Sequence, residues 1–83
     1  MDVLQGVLHT LDEVLSLKGR AFSFTRDSAL LGAIAELDSM AVVGLITGLE
    51  ERFGIVVDDD DVDGATFESV GSLVDFVTAK LAA

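Results

Sequence analysis

The sequence predicts a single all-α domain built from three main helices, one short acidic helix and a long ordered loop. Apolar side chains recur at intervals of three and four residues in three separate segments. No segment alternates apolar and polar residues as a half-buried strand does, and no proline interrupts a helix. With 83 residues, the chain can form one small core and no second domain.

The first predicted helix covers residues 2–17. Lys18 and Gly19 follow it as a stop signal. His9 lies beside the apolar stripe, and we expect it to be a surface or boundary residue, because the chain has no cysteine and no second histidine to pair with it. The stripe consists of Val3, Leu4, Val7, Leu8, Leu11, Val14 and Leu15.

Residues 18–38 show no sustained periodicity and are predicted to be a loop. Most connections in compact domains are about 4–6 residues long, so this loop is unusually long. We expect it to be packed against the core, because it carries six apolar anchors: Phe22, Phe24, Leu30, Leu31, Ile34 and Leu37.

The second predicted helix covers residues 39–53 and has the clearest boundaries. Asp38 or Ser39 can cap its start, and Arg52 and Gly54 are typical of a helix end. One side of this helix is sufficient for a core and contains Val42, Leu45, Ile46, Leu49 and Phe53. The opposite side contains Ser39, Met40, Val43, Gly44, Thr47, Glu50 and Glu51.

Met40 and Val43 are apolar although they point away from the predicted core, and both lie within a turn of Ser39. We interpret them as a docking patch rimmed by acids, and scattered surface hydrophobes are the alternative. Gly44 and Gly48 in the same helix suggest close helix packing at one position and room for a partner at the other. The sequence does not assign the two roles.

The C-terminal third of the chain contains an acidic stretch and a further helix. Residues 59–64 are predicted to form one short helical turn, and the last helix is predicted over residues 69–81 with Ser69 as its cap. The apolar stripe of the last helix consists of Val70, Leu73, Val74, Val77 and Leu81.

The chain is strongly acidic, with 15 acidic against 5 basic residues and a net charge of -10. Such a surface repels nucleic acids and favours encounter with basic protein surfaces. No secretory signal is visible, and the longest uncharged run, residues 39–49, is shorter than the ~20 residues of a membrane span. We therefore expect a cytoplasmic monomer without a membrane span and without a nucleic-acid partner.

The residues do not fit a hydrolytic serine site or a calcium-binding loop. A hydrolytic serine needs a base, but His9 is the sole histidine and no nucleophile elbow surrounds Ser39. A calcium loop beginning at Asp59 has suitable residues at its first, third, fifth and sixth positions, but Val70 replaces the glutamate at its twelfth. We expect no catalytic residue and no specific metal site, and we leave weak divalent binding open.

Three stretches together resemble acyl carrier proteins. They are Glu-Leu-Asp-Ser-Met at 36–40, Leu-Glu-Glu-Arg-Phe-Gly-Ile at 49–55 and Phe-Glu-Ser-Val at 67–70. The resemblance implies a four-helix carrier bundle modified on Ser39 with 4′-phosphopantetheine from coenzyme A. A magnesium-dependent phosphopantetheinyl transferase would attach this arm, whose thiol would hold an acyl group as a thioester.

The resemblance also implies which residues meet other proteins. Asp38 matches the acid that precedes the modified serine. The implied partners are the transferase, an acyl-loading ligase or acyltransferase, and downstream biosynthetic enzymes with basic docking patches. The expected partner-binding residues are Met40, Val43, Thr47, Glu50, Glu51, Asp58 and Asp59.

The chain departs from the family pattern at two positions, because Gly44 replaces a frequent glutamate and Asp58 replaces a frequent proline. Peptidyl carriers usually have glycine before the residue that precedes the serine, and Leu37 does not match them. The loop before Phe67 is similar to that of polyketide-type carriers, and the second stretch also resembles carriers of exopolysaccharide or exosortase gene clusters. An aminoacyl or peptidyl-type carrier and an unmodified acidic interaction module remain as alternatives.

Overall fold

The computed structural model describes residues 2–82, apart from the side chain of Asp59. Three α-helices form the fold: α1 (Val3–Leu15), α2 (Ser39–Phe53) and α3 (Val70–Ala82). No strand occurs in the described residues, so the predicted all-α class with three main helices is confirmed. Three short 3₁₀ turns complete the structure at Arg20–Ser23, Asp59–Asp61 and Gly64–Phe67.

A single hydrophobic core lies between the three helices and the long loop. Each buried valine, leucine, isoleucine or phenylalanine side chain in it contributes about 1.5–3 kcal/mol. The core is formed by Val7, Leu8, Leu11 and Leu15 of α1, Leu45 and Leu49 of α2, Val70, Leu73, Val74 and Val77 of α3, and Leu17, Ala21, Leu30, Leu37, Ile55 and Phe67 from the connecting segments.

Helix α1 ends at Leu15, two residues before the expected end. Ser16 adopts a left-handed conformation with φ of 54°, and its N–H donates to the carbonyl of Asp12. The Asp12 carboxylate then accepts the N–H of Gly19 at 2.7 Å and 2.9 Å, so one side chain holds the chain as it leaves the helix. This cap at Ser16 closes the helix before the predicted stop signal.

The two glycines of α2 both lie near α1, but only one of them is tightly packed. A Cβ atom at Gly48 would lie 3.0 Å from Thr10 Cγ2 and 3.1 Å from Val14 Cγ2. At Gly44 it would lie 3.4 Å from Val14 Cγ1, which is an ordinary contact. Gly48 is therefore the glycine that allows close packing of α1 and α2.

The long loop is fastened along the segment that leads into α3. The N–H of Leu30 donates to the carbonyl of Glu68, and the N–H of Leu31 donates to that of Phe67, each at 3.0 Å. An isolated antiparallel bridge joins the same two segments. The loop is therefore ordered by long-range backbone hydrogen bonds, which satisfy polar groups that would otherwise be buried unpaired.

The loop also caps the start of α3. Val70 donates its N–H to the carbonyl of Ser28 at 3.0 Å, and Gly71 donates to that of Arg26 at 2.8 Å. The Ser69 hydroxyl accepts the N–H of the third helical residue at 3.1 Å. These bonds satisfy the first N–H groups of α3, which have no acceptor within the helix.

The sequence predicted one short helix over residues 59–64, and the structure corrects this prediction. Two 3₁₀ turns occupy this region, and Val62 separates them in an extended conformation. At the start of the first turn, the Asp61 carboxylate accepts the N–H of Asp58 at 2.9 Å. Asp63 caps the second turn by accepting the N–H of Thr66 at 3.2 Å. Because each turn has its own aspartate cap, the segment does not form one continuous helix.

Candidate functional site

Ser39 is the first residue of α2 and is exposed. Asp38 caps the helix, because its Oδ1 accepts the N–H of Ala41 at 2.8 Å while its carbonyl accepts that of Val42 at 3.0 Å. Among residues 2–82, the Ser39 hydroxyl and the N–H groups of Ser39 and Met40 make no hydrogen bond. The site therefore consists of a free hydroxyl beside two free backbone donors at a helix N-terminus.

Two residues just before Ser39 are held in place, Leu37 by the core and Glu36 by an ion pair. Leu37 is buried in the core, and its N–H donates to the carbonyl of Ile34 at 3.1 Å. Glu36 forms an ion pair with Arg20, and the hydrogen bond from this guanidinium is the main cause that lowers the pKa of the Glu36 carboxyl. The hydroxyl is thus presented by a fixed segment of the loop.

The outer side of α2 carries an apolar surface next to Ser39. Met40 is 81% exposed and Val43 is 64% exposed, so neither side chain is part of the core. Thr47 and Glu51 are exposed on the same side further along the helix. We call the set Met40, Val43, Thr47 and Glu51 the docking face.

Glu50 behaves differently from the other predicted partner-binding residues of α2. Its side chain is partly buried, and its Oε2 accepts the N–H of Val57 at 2.8 Å. The helical periodicity grouped Glu50 with the exposed residues of α2. It did not indicate that Glu50 accepts a hydrogen bond, because the donor is the backbone N–H of Val57, seven residues later and outside the helix. The next residue, Glu51, makes no such bond among the described residues.

The acidic segment after α2 is held to α3 by an ion pair. Lys80 lies 2.6 Å from Asp61, and its hydrogen bond is the main cause that lowers the pKa of the Asp61 carboxyl, followed by the backbone N–H of Asp58. Asp58 is exposed, and the predicted partner-binding side chain of Asp59 lies outside the described residues. In the described part of the chain, no three His, Cys, Asp or Glu residues converge as a metal site would require.

Most of the few cations are paired with acids, so the remaining surface is negative. Four of the five basic side chains form ion pairs within residues 2–82. These pairs are Arg20 with Glu36, Arg26 with Asp75, Arg52 with Glu13, and Lys80 with Asp61. On the outer side of α2, the exposed acid is Glu51, and it forms no ion pair within residues 2–82.

The surroundings of Ser39 do not resemble a hydrolytic site. His9 lies on α1, where its exposed ring packs edge-on against Phe22 with a centroid separation of 4.8 Å. An open groove of about 360 Å³ lies between α1 and α2, and it is lined by Thr10, Glu13, Gly48, Glu51 and Arg52 rather than by Ser39. No helix within residues 2–82 is long and apolar enough to cross a membrane.

A free serine hydroxyl at an open helix start, beside an exposed apolar and acidic helix face, suits a small domain that carries a covalently attached group. The family model described as the phosphopantetheine attachment site matches residues 5–77. The solution NMR structure of a holo acyl carrier protein from Nitrosomonas europaea is also similar, with 51% identity, a TM-score of 0.92 and 100% of each chain covered. A search of curated proteins found no match.

The chain belongs to the acyl carrier protein family. It is a carrier and not an enzyme, and its cofactor is covalently attached 4′-phosphopantetheine. Members of this family interact with phosphopantetheinyl transferases and biosynthetic enzymes. The predictions of family, cofactor and non-enzymatic role are therefore confirmed, and the unmodified interaction module is set aside.

Proposed function

We propose that the chain holds an acyl group as a thioester on a 4′-phosphopantetheine arm attached to Ser39. It presents this group to enzymes of lipid, polyketide or related biosynthesis. The observation that carries the proposal is the Ser39 hydroxyl, which is exposed and makes no hydrogen bond within the described residues. We also propose, in line with the expectation from the sequence, that the protein acts as a monomer in the cytoplasm.

The residues around Ser39 fit a phosphodiester. The free N–H groups of Ser39 and Met40 and the N-terminal end of the α2 dipole stabilise a negative charge by about 0.3–1 kcal/mol. The Asp38 carboxylate is occupied by the Ala41 N–H, so it shapes the helix start without needing a bond from the attached group. When bound, the arm supplies a terminal thiol that forms the acyl thioester.

Attachment is a phosphoryl transfer in which Ser39 Oγ is the nucleophile. The oxygen attacks the phosphorus next to the pantetheine of coenzyme A, a new O–P bond forms, and the pyrophosphate P–O bond breaks. The nucleoside bisphosphate leaves, and the hydroxyl proton passes to a base of the transferase, with magnesium neutralising the phosphates. Ser39 needs no base of its own chain, which agrees with the position of His9 against Phe22.

We propose that partner enzymes dock on the docking face. Met40 and Val43 fill an apolar pocket of the partner, and the acids around them meet lysines and arginines on its rim. The partners are the phosphopantetheinyl transferase, an acyl-loading ligase or acyltransferase, and the enzymes that use the cargo. The proposed partner-binding residues are Met40, Val43, Thr47, Glu50, Glu51, Asp58 and Asp59.

The intact mass of the protein purified from its native cell tests the acyl-carrying role. We expect the mass of the chain plus one arm plus an acyl group. Treatment with neutral hydroxylamine should remove the acyl group and leave the arm, because hydroxylamine cleaves thioesters and not phosphodiesters. An arm that is present but never acylated, under conditions where the cells grow, would contradict the role as an acyl carrier.

A further inference from the structure

A strained turn follows α1 and leads into the first 3₁₀ turn. Ser16 and Lys18 have φ of 54° and 56°, a left-handed conformation that residues with a Cβ rarely adopt, and Gly19 follows with φ of 92°. The Asp12 carboxylate holds this turn closed, because both of its oxygens accept the N–H of Gly19. Strained backbone persists where the surrounding bonds fix it, and it is concentrated at functional positions. The residue that this turn places is Arg20.

Arg20 is held by both its backbone and its side chain. Its backbone N–H donates to the carbonyl of Leu17 at 3.1 Å, and its Nε donates to the same oxygen at 3.2 Å. Leu17 is buried in the core, so the carbonyl that holds the guanidinium belongs to a fixed residue. The Nη2 atom of the same planar group pairs with Glu36. The guanidinium thus links the turn after α1 to a residue three positions before Ser39.

Residues 32–37, which lead into the helix cap, form few other bonds to the rest of the molecule. Leu37 is buried in the core and Ile34 packs against it. The backbone hydrogen bonds of this stretch reach no further than four residues along the chain. Among the described residues, the bond between Arg20 and Glu36 is the only hydrogen bond from this stretch to a more distant part of the chain.

We propose that Arg20 is a positioning residue for the modification of Ser39, because its pair with Glu36 fixes the stretch through which the chain enters α2. This proposal rests on the proposed attachment at Ser39. Asp38 caps α2 and Ser39 is its first residue, so movement of residues 32–37 also moves the hydroxyl. Phosphoryl transfer needs the attacking oxygen in line with the leaving oxygen, and a misplacement of about 1 Å lowers the rate. The pair therefore acts on the position of the nucleophile and not on docking.

Single-turnover modification of the intact chain tests this proposal, with coenzyme A, magnesium and an excess of a broad-specificity phosphopantetheinyl transferase. Both side chains of the pair are exposed, and an exposed ion pair shifts an equilibrium by up to about fivefold. Arg20→Gln and Glu36→Gln should each lower the rate at saturating transferase by about two- to fivefold, with an unchanged half-saturation concentration. The double variant should lose no more than either single variant, because each single change already breaks the pair.

The two single variants separate positioning from charge. Arg20→Gln removes a positive charge and Glu36→Gln removes a negative one, so an electrostatic effect on a basic partner would have opposite signs in the two. A loss of rate in both variants therefore indicates the broken pair. Arg26→Gln is the matched control, because it removes the same charge and breaks an exposed pair with Asp75 of α3. It should keep the wild-type rate.

Amide hydrogen exchange gives a second readout that does not depend on the transferase. In both variants of the pair, the amides of Leu37 and Ala41 should exchange about two- to fivefold faster, because their bonds hold the stretch and the helix start. The amides of Leu45 and Leu49, which are buried further along α2, should exchange at wild-type rates. Equally faster exchange at all four amides would assign the pair to global stability and overturn the positioning role.

The kinetic outcomes that would overturn the proposal are equally specific. An unchanged rate in either Arg20→Gln or Glu36→Gln would do so, as would a loss confined to the half-saturation concentration, which would indicate docking. Additive losses in the double variant would show that the two residues act independently. If Arg20→Gln does not fold, Glu36→Gln decides, because it leaves the bond from Arg20 to Leu17 in place. Failure of the transferase to modify wild-type protein would contradict the attachment at Ser39 and this proposal with it.

Discussion

Replacement by alanine should stabilise the protein at one glycine of α2 and not at the other. Glycine in a helix interior costs about 1 kcal/mol relative to alanine. At Gly44, the added methyl group would meet Val14 Cγ1 at 3.4 Å, which is a normal van der Waals distance. Gly44→Ala should therefore increase the free energy of unfolding by about 0.5–1 kcal/mol.

At Gly48 the same methyl group would be too close to α1. It would lie 3.0 Å from Thr10 Cγ2 and 3.1 Å from Val14 Cγ2. Thr10 is held in place, because it is buried and its hydroxyl donates to the carbonyl of Gly6 at 2.8 Å. Overpacking costs about 1–3 kcal/mol, which cancels or exceeds the gain in helix propensity. Gly48→Ala should therefore leave the stability unchanged or lower it by up to about 2 kcal/mol.

Urea titration and thermal melting of the two variants at one salt concentration measure this difference. The two variants should differ by about 0.5–3 kcal/mol, and for a domain of this size 1 kcal/mol corresponds to about 4–8 °C, so their melting temperatures should differ by about 2–24 °C. In a Thr10→Ser background, which removes Cγ2 and retains the hydroxyl, Gly48→Ala should become less harmful. A Gly48→Ala variant at least as stable as Gly44→Ala would refute the close packing of α1 and α2.

Three further predictions concern the loop, an ion pair and the net charge. Gly71→Ala should lower the free energy of unfolding by about 1–3 kcal/mol, because its Cβ would lie 2.9 Å from the Arg26 carbonyl oxygen; unchanged urea midpoints would contradict this. The hydrogen bond with Lys80 lowers the pKa of Asp61, so the charged form of this carboxyl stabilises the fold. The stability difference between wild type and Asp61→Asn should therefore be present at pH 7 and should disappear as the pH falls below about 4. A difference that persists in acid would count against the ion pair. Because the net charge is -10, added sodium or magnesium chloride should raise the melting temperature, and a melting temperature independent of both would exclude self-repulsion as a destabilising factor.

The helices could be predicted because their signals are local. Asp38 and Gly54 mark the two ends of α2, and the structure shows them as its caps. The end of α1 was predicted too late, because the chain leaves the helix at Ser16, a residue type with no strong preference for the left-handed conformation. Local sequence patterns thus identify a helix more reliably than its last turn.

The details of the loop and of the acidic segment depend on distant parts of the chain. The loop is ordered by hydrogen bonds from Leu30 and Leu31 to carbonyls more than thirty residues away, which no local pattern indicates. The acidic stretch was predicted as one turn, but its aspartates cap two separate turns, and Asp61 is also held by Lys80 from α3. These features arise from tertiary contacts and not from propensity.

The candidate site was predicted in its chemistry more fully than in its geometry. The sequence singled out Ser39 and the exposed pair Met40 and Val43, and the structure exposes all three. Glu50 was grouped with Glu51 because a helical projection shows directions and not hydrogen-bond partners. The backbone donor of Val57 comes from outside the helix, so its bond to Glu50 could be seen only in three dimensions.

The attachment of the arm to Ser39 is the central claim, and one measurement tests it most directly. Wild-type protein, Ser39→Ala and the control Ser23→Ala are incubated with coenzyme A, magnesium and a broad-specificity phosphopantetheinyl transferase, and their intact masses are recorded. Wild type and Ser23→Ala should each gain the mass of one phosphopantetheine arm, and Ser39→Ala should gain none. An arm on Ser39→Ala, or none on wild type, would contradict the account.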